Sequence, residues 1–213
     1  MYNKKIIFRY GLGFSNSFWS NLLPFFQGYQ CFVVEENYFN DSRKTFSSHE
    51  NKDFDVGIGH SLGFWNLCQT APKAKYLIGI NAFTNFLGED SRLHSLRKIE
   101  YETFKTHFHR QPENTLKNFY TRCGFKNHNT DFSNINVPAI ECDLNLLASP
   151  LELNNESKVL IINSLDDPIV PKNITDDNFT NTKVQIHYLE KGKHALGFQY
   201  AKEVSKIILD FIS

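Results

Sequence analysis

One five-residue motif constrains this chain more than any other feature of its sequence. Gly59-His60-Ser61-Leu62-Gly63 follows a short apolar run at 54–58 and precedes a second run at 64–69. The first run predicts a buried strand, and the second predicts the start of a helix. A strand, a tight turn and a helix expose a serine at the apex, and the flanking glycines let the backbone turn without side-chain clashes. Serine is a weak nucleophile without a base, so the motif predicts two further residues.

Two later segments supply candidate partners for Ser61. The strand-like run 159–163 leads into a turn that contains Asp166 and Asp167, and the run 184–189 ends shortly before His194. Serine, then acid, then histidine is one of the chain orders in which catalytic triads occur. Asp167 and His194 are 27 residues apart, which leaves room for one helix and one strand between two loops at the same sheet edge.

The rest of the chain alternates between strand and helix patterns, with one interruption. Apolar runs of this kind are typical of a parallel sheet covered on both faces. The predicted strands are 6–9, 31–35, 55–59, 75–81, 158–163 and 183–189, and the predicted helices are 16–26, 62–70, 172–177 and 196–212. Residues 86–153 show helical spacing and no convincing strand. We therefore predict a core of residues 1–85 and 154–213 with a helical insertion of residues 86–153.

With the motif and the two later loops in this order, the chain resembles the α/β-hydrolase superfamily over nearly its whole length. Asp-Pro-Ile-Val-Pro at 167–171 resembles the acid turn of that superfamily, and Gly-Lys-His-Ala at 192–195 resembles its histidine loop. In the family the acid directly precedes the proline, which selects Asp167 and leaves Asp166 as a turn residue that helps to cap the next helix. The resemblance implies an α/β-hydrolase fold, with a mostly parallel sheet, helices on both faces and a helical lid insertion.

The resemblance also assigns chemical roles. Ser61 would attack an ester or thioester carbonyl, His194 would move the proton, and Asp167 would hold the imidazole in the useful tautomer. The developing oxyanion needs two backbone N–H donors, which would be those of Leu12 and Leu62. The superfamily often has His-Gly in the first of these loops, whereas this chain has Tyr10-Gly11. The donor is a main-chain group, so this change need not abolish the site, but it leaves open which hydrogen bonds brace the loop.

The insertion is expected to lie over Ser61 as a lid that shapes an acyl pocket and excludes water. Phe83, Phe86 and Phe104 are the candidate lining residues. The alternative is that these aromatic side chains form the ordinary core of the lid.

Two lid segments, 112–120 and 144–147, resemble the pimeloyl-[acyl-carrier protein] methyl ester esterases of biotin synthesis. Gly11-Leu12-Gly13 with Trp19 six residues later shares this resemblance. It implies hydrolysis of a methyl ester at the end of a pimeloyl chain held on acyl carrier protein. The acidic carrier would be contacted by Arg110, Lys117 and Arg122, although basic residues on a lid are also typical of a solvated helix face.

Two other functions remain open: a general carboxylesterase or thioesterase acting on small acyl substrates, and a binding module that kept the fold and lost the chemistry. The formal net charge is zero, so we expect neither a nucleic acid nor a membrane as partner. The four cysteines show no C-x-x-C spacing, and we expect no metal site, no disulfide framework and no cofactor. The N-terminal residues lack a signal-peptide layout, which favours the cytoplasm.

Overall fold

The computed structural model describes residues 4–39, 53–71, 73–126, 130–153, 156–180 and 182–213. Its strands are β1 Lys5–Arg9, β2 Gln30–Val33, β3 Val56–His60, β4 Tyr76–Ile80, β5 Lys158–Ser164 and β6 Gln185–Leu189. Its α-helices are α1 Leu62–Thr70, α2 Ser91–Arg110, α3 Pro112–Cys123, α4 Val137–Leu146, α5 Lys172–Phe179, α6 Leu196–Gln199 and α7 Ala201–Ile212. Short 3₁₀ turns lie at Asn16–Trp19, Leu23–Phe26 and Phe132–Asn134.

The six strands form one parallel sheet in the order β2-β1-β3-β4-β5-β6. The chain winds outward from β1 to β2 and then in the opposite direction from β3 onward, so the direction of winding reverses between β1 and β3. Every residue of β3 and β4 is buried, because helices and loops cover both faces of the sheet. Ligands of such sheets bind beyond the carboxyl ends of the strands at this switch point, which is where Leu12 and Ser61 lie.

The predicted strands are all present, and the predicted parallel sheet is confirmed. The helix predicted at 16–26 is wrong in detail, since this segment forms two 3₁₀ turns. Pro24 lies in the second turn and has no N–H to continue an α-helix from the residues before it. The helix predicted at 196–212 is divided at Tyr200 into α6 and α7.

Helices α2, α3 and α4 lie between β4 and β5, in the segment expected to carry no strand. Asp90 caps α2 by accepting from the N–H groups of Arg92 and Leu93. Pro112 starts α3, where its missing N–H costs nothing, and Gly124 ends it in the left-handed region at φ 72°. Within the described residues, the only strand-like pairing of this segment is a single bridge between Phe39 and Ile135.

The insertion shares the main hydrophobic core with the sheet. Phe14, from the loop after β1, stacks on Tyr120 of α3 with ring centroids 5.1 Å apart, and Phe125 packs edge-on against both rings. The same cluster of buried side chains contains residues of β1, β3, β4, β5 and all three insertion helices. In the described part of the chain, every helix is too short or too polar to cross a bilayer.

Candidate active site

Ser61 occupies a strained turn between β3 and α1. Its backbone adopts φ 53° and ψ −125°, a conformation that a non-glycine residue rarely takes. The N–H of Ser61 donates to the carbonyl of Ile80 at 3.0 Å, which fixes the turn to the end of β4. The side chain is 7 % exposed and lines a cavity, so its hydroxyl faces a partly enclosed space.

The two motif glycines are required by close backbone contacts. A Cβ at Gly59 would lie 2.3 Å from the Cα of Phe64, and one at Gly63 would lie 2.3 Å from the carbonyl oxygen of Arg9. Both distances are far below van der Waals contact, and the neighbouring atoms belong to the backbone. The motif glycines therefore let the turn close on itself and let α1 pack against the end of β1.

Asp167 and His194 form a buried pair at the same edge of the sheet. His194 Nδ1 lies 2.8 Å from Asp167 Oδ2, and the two side chains are 1 % and 0 % exposed. The other carboxylate oxygen of Asp167 accepts from the N–H groups of Ile169 and Val170 at 2.7 and 3.1 Å. These contacts fix the carboxylate, and the carboxylate in turn places the proton of a neutral His194 on Nδ1.

With Nδ1 protonated, His194 Nε2 is left as a proton acceptor. Nε2 is buried and has no hydrogen-bond partner among the described residues. The Ser61 hydroxyl also has no hydrogen-bond partner among the described residues. In this structure, therefore, no hydrogen bond joins Ser61 Oγ to His194 Nε2. Catalytic hydrogen bonds of this kind are often long without substrate and tighten when it binds.

Asp166 occupies a different environment from Asp167. It is exposed, and its carboxylate has no hydrogen bond to any described residue. The capping role predicted for Asp166 is wrong, because α5 begins only at Lys172, with Pro171 at the N-cap position. The structure thus brings Asp167, and not Asp166, to His194.

The loop after β1 forms a tight turn beside Ser61. The N–H of Phe14 donates to the carbonyl of Gly11 at 3.2 Å, and Gly13 takes the positive φ of 72° that such a turn needs. Neither the N–H of Leu12 nor that of Leu62 has an acceptor among the described residues. Leu12 lines the cavity with Ser61, and Leu62 directly follows the serine, so these two free N–H groups remain the candidate oxyanion donors.

Tyr10 braces this loop in place of a histidine. Its hydroxyl donates to Glu35 at 3.0 Å and accepts from the N–H of Glu36 at 2.8 Å. Arg9, its neighbour, forms two hydrogen bonds with the carboxylate of Glu36, at 2.6 and 2.9 Å. The brace therefore runs from the loop after β1 to the residues that follow β2.

His60 links the loop after β1 to the loop of His194, a role that the sequence did not indicate. Its Nδ1 accepts from the N–H of Gly11 at 3.2 Å, and its Nε2 lies 3.0 Å from the carbonyl of His194. Because Nδ1 is an acceptor here, Nε2 carries the proton. The ring is fully buried and stacks on Phe18 at 4.2 Å. Burial and the nearby His194 hold the pKa of His60 well below its ordinary value, so this ring stays neutral.

Asn81, directly after β4, is a second residue that sequence reasoning missed. Its amide nitrogen donates to the carbonyls of Lys193 and His194 at 2.8 and 3.0 Å, and its amide oxygen accepts from the N–H of Ser164 at 3.0 Å. One side chain therefore holds the histidine loop and the end of β5 together. The only sequence signal was a polar residue at the end of a fully apolar strand.

A small cavity of about 70 Å³, open to solvent on one side, lies between Ser61 and the insertion. Of the three predicted lining residues, Phe86 and Phe104 line this cavity, whereas Phe83 does not. Phe83 is 1 % exposed and packs behind Phe86, with the ring centroids 5.2 Å apart. The other lining residues are Leu12, Arg97, Glu100, Tyr101, Phe119, Arg122, Leu147, Pro168 and Ile169.

Two insertion arginines contact successive carbonyls of the acid turn. Arg97 of α2 donates to the carbonyl of Ile169 at 2.6 Å, and Arg122 of α3 donates to that of Pro168 at 3.4 Å. Helix α3 also donates from the Tyr120 hydroxyl to the carbonyl of Gly13 at 2.7 Å, and its Cys123 carbonyl accepts from the N–H of Ala195 at 2.9 Å. Helix α3 thus touches the acid loop, the histidine loop and the loop after β1.

The three predicted carrier contacts lie at separate points of the insertion. Arg110 is exposed at the end of α2, Lys117 pairs with Glu113 at 2.6 Å, and Arg122 lines the cavity. Lys117 and Arg122 are five residues apart on α3, which puts them about 140° apart around the helix. Within the described ranges, no group of three His, Cys, Asp or Glu side chains could hold a metal ion.

The chain matches no protein-family model and no curated protein sequence at a significant level. It is similar to many solved structures. An esterase from Exiguobacterium antarcticum is 12 % identical with a TM-score of 0.77, over 99 % of this chain and 92 % of the other. An esterase from Thermogutta terrifontis is 13 % identical with a TM-score of 0.70, over 99 % and 90 %.

A third similar structure is that of an epoxide hydrolase from Bacillus megaterium, 13 % identical with a TM-score of 0.70, over 99 % of this chain and 93 % of the other. The chain has the α/β-hydrolase fold. Identities this low show the fold alone, so the activity of this chain must be argued from its own residues.

Proposed function

We propose that this chain is a serine carboxylesterase with Ser61 as nucleophile, His194 as base and Asp167 as the acid that orients it. One observation carries the proposal. A buried Asp167–His194 pair at 2.8 Å, with an unpartnered Nε2, lies at the same sheet edge as a serine in a strained turn. The free N–H groups of Leu12 and Leu62 complete the donor set that acyl transfer needs.

The reaction follows from these positions. Ser61 Oγ attacks the ester carbonyl while its proton moves to His194 Nε2, and the imidazolium is stabilised by the Asp167 carboxylate. The oxyanion accepts from the N–H groups of Leu12 and Leu62. His194 then gives its proton to the departing alcohol, which leaves an acyl ester on Ser61. Water, deprotonated by the same imidazole, attacks this ester and releases the acid.

A fluorophosphonate probe tests the nucleophile directly, because it reacts only with an activated serine. The wild-type protein should become labelled, whereas a Ser61→Ala variant should not label and should keep its fold and thermal stability. Ester hydrolysis by the variant should fall by several orders of magnitude. The oxyanion donors and substrate binding should leave a residual rate about 10³–10⁴-fold above that of the uncatalysed reaction in water. A folded wild-type protein that does not label would support the binding-module alternative.

For the substrate, we propose the methyl ester of a pimeloyl chain carried on acyl carrier protein. The support is the resemblance of segments 112–120 and 144–147, together with a cavity whose aromatic wall includes Phe86 and Phe104. An apolar chain would lie along this wall with its methyl ester at Ser61. The first test compares methanol release from the carrier-linked ester with hydrolysis of short nitrophenyl esters. The second test asks whether the gene restores growth of a biotin-requiring strain that lacks its own esterase.

Carrier recognition is proposed to use Arg110, Lys117 and Arg122. Exposed contacts of this kind contribute only about 0.2–1 kcal/mol each and act mainly on association rate. Replacing all three residues by glutamate should raise KM for the carrier-linked ester and flatten or reverse its salt dependence. Turnover of a small nitrophenyl ester should barely change. Equal losses on both substrates would argue for a structural role, and a general esterase would show no preference for the carrier-linked ester.

A further inference from the structure

The wall of the cavity over Ser61 carries an excess of positive charge. Its lining contains two guanidinium groups, Arg97 and Arg122, and one carboxylate, Glu100. Asp167 lies near Arg97 but is already committed to His194 and to two backbone N–H groups. A neutral acyl chain would leave this charge without a counterpart inside the cavity.

Arg97 is the more unusual of the two arginines because it is 6 % exposed. It pairs with Glu100 at 2.6 Å, donates to the Ile169 carbonyl at 2.6 Å and lies over the ring of Phe86 at 4.4 Å. A guanidinium has five N–H donors, and the Nε of Arg97 is buried with no hydrogen-bond partner among the described residues. A buried donor of this kind is costly unless a ligand satisfies it.

Glu100 compensates this charge only in part. Its side chain is 61 % exposed, so water weakens its attraction for the guanidinium. Burial lowers the pKa of Arg97 even though Glu100 and Asp167 both raise it, and the nearby Arg122 lowers it further. Arg122 has a single long contact, to Pro168 at 3.4 Å, and no ion pair with any described residue, so most of its donors are free.

We propose that Arg97 and Arg122 form a carboxylate subsite in this cavity, so that the enzyme accepts half-esters of dicarboxylic acids with a free carboxylate at the far end. The ester end of such a molecule would lie at Ser61, its methylene chain along the aromatic wall, and its carboxylate between the two guanidiniums. The planar, fixed fork of a guanidinium matches a carboxylate through paired hydrogen bonds, which a neutral chain end cannot form. This inference rests on the proposed esterase activity of Ser61 and not on the carrier-linked substrate, whose far end is a neutral thioester. It predicts free half-esters as substrates, with a carboxylate at the end opposite the ester.

Binding without turnover gives the first test. In a Ser61→Ala background, calorimetry would compare monomethyl esters of dicarboxylic acids of four to eight carbons with methyl esters of monocarboxylic acids of equal length. At the best length, the half-ester should bind about tenfold more tightly or better, the range expected for a charge-assisted hydrogen bond. Adding Arg97→Gln or Arg122→Gln should remove most of this advantage.

Two further variants sharpen the result. Glu100→Gln removes the competing carboxylate and should increase the advantage of the half-ester, whereas loss of a merely structural ion pair would not. Arg92→Gln removes an exposed positive charge of the same helix outside the cavity and should leave the advantage unchanged. Arg122 is exposed, so its variant tests the subsite even if Arg97→Gln fails to fold.

Equal binding of the two ester classes, or an advantage that survives both arginine variants, would overturn the carboxylate subsite. The ratio of kcat/KM for the two esters should follow the binding ratio in proteins that retain Ser61, because any damage to the triad affects both substrates alike. Arginine-dependent binding without hydrolysis would refute the esterase function and keep the subsite. Hydrolysis of both ester classes with equal kcat/KM would refute the carboxylate subsite and keep the esterase function.

Discussion

Replacing His60 by phenylalanine removes two hydrogen bonds from the centre of the site and keeps an aromatic ring there. The new ring can still stack on Phe18, and the His194 carbonyl still accepts from Asn81. The N–H of Gly11 loses its acceptor, Nδ1 of His60, and stays buried. An unsatisfied buried donor costs about 1–3 kcal/mol, so we expect His60→Phe to be less stable than the wild type by this amount at pH 8.

The stability gap between the two proteins should depend on pH. Burial, reinforced by His194, keeps the pKa of His60 well below its ordinary value, whereas the same imidazole in the unfolded chain titrates near about 6.5. Below that pH, His60 binds a proton in the unfolded state but not in the folded state, so the wild type loses stability as pH falls. Phenylalanine has no such proton. The gap should therefore narrow by up to about 1.4 kcal/mol per pH unit between pH 6 and pH 5.

Urea unfolding of both proteins at pH 8, 6 and 5 gives the free energies of unfolding needed for this comparison. Equal denaturant slopes would show that the two proteins expose the same surface. A gap that stays constant across the three pH values would refute the reasoning, because it would mean that His60 is protonated equally in the folded and unfolded states. An unchanged stability at pH 8 would show that the Gly11 N–H finds another acceptor.

Two further predictions test the acid turn and the serine turn. Asp167→Asn should lower kcat about 10⁴-fold, because an amide favours the wrong tautomer of His194. Asp166→Asn should have little effect on kcat. A steady-state ester assay that gives the reverse ranking would make Asp166 the acid. Gly63→Ala should destabilise the protein near the upper end of the usual range of about 1–3 kcal/mol for overpacking, because its Cβ would meet the Arg9 carbonyl. Gly28→Ala, with no heavy atom within 4 Å of its Cβ, should change stability by less than about 1 kcal/mol, and similar thermal shifts for the two alanine variants would contradict the packing argument.

Local patterns predicted the sheet and the placement of Ser61, Asp167 and His194. Each of these residues follows an apolar strand within a few positions, and parallel strands bring their carboxyl ends to one edge. The close approach of α1 to β1 was also encoded locally, in the glycines on either side of the serine. Assignment of Asp167 over Asp166 needed the family resemblance, because both are turn-forming residues.

The residues that hold the site together could not be predicted in this way, because their partners are distant in sequence. Asn81 reaches a carbonyl 112 residues away, and Arg97 reaches one 72 residues away. Arg97 also lies in a helix rich in charged residues, a pattern that favours a solvated face. Only the tertiary arrangement turns that face toward the cavity.

The contacts of α3 bear on how this fold can change its specificity. This helix holds the loop after β1 through Tyr120, the acid turn through Arg122 and the histidine loop through Cys123. It therefore packs as one unit with the loop after β1 and the loops of Asp167 and His194, and we expect that another insertion could not replace it without disturbing these loops. A chimera that replaces α3 would have to carry all three matching loops with it. Substrate range can be changed with less structural disturbance through single substitutions at positions such as Phe104 and Leu147. These residues line the cavity from α2 and from the end of α4.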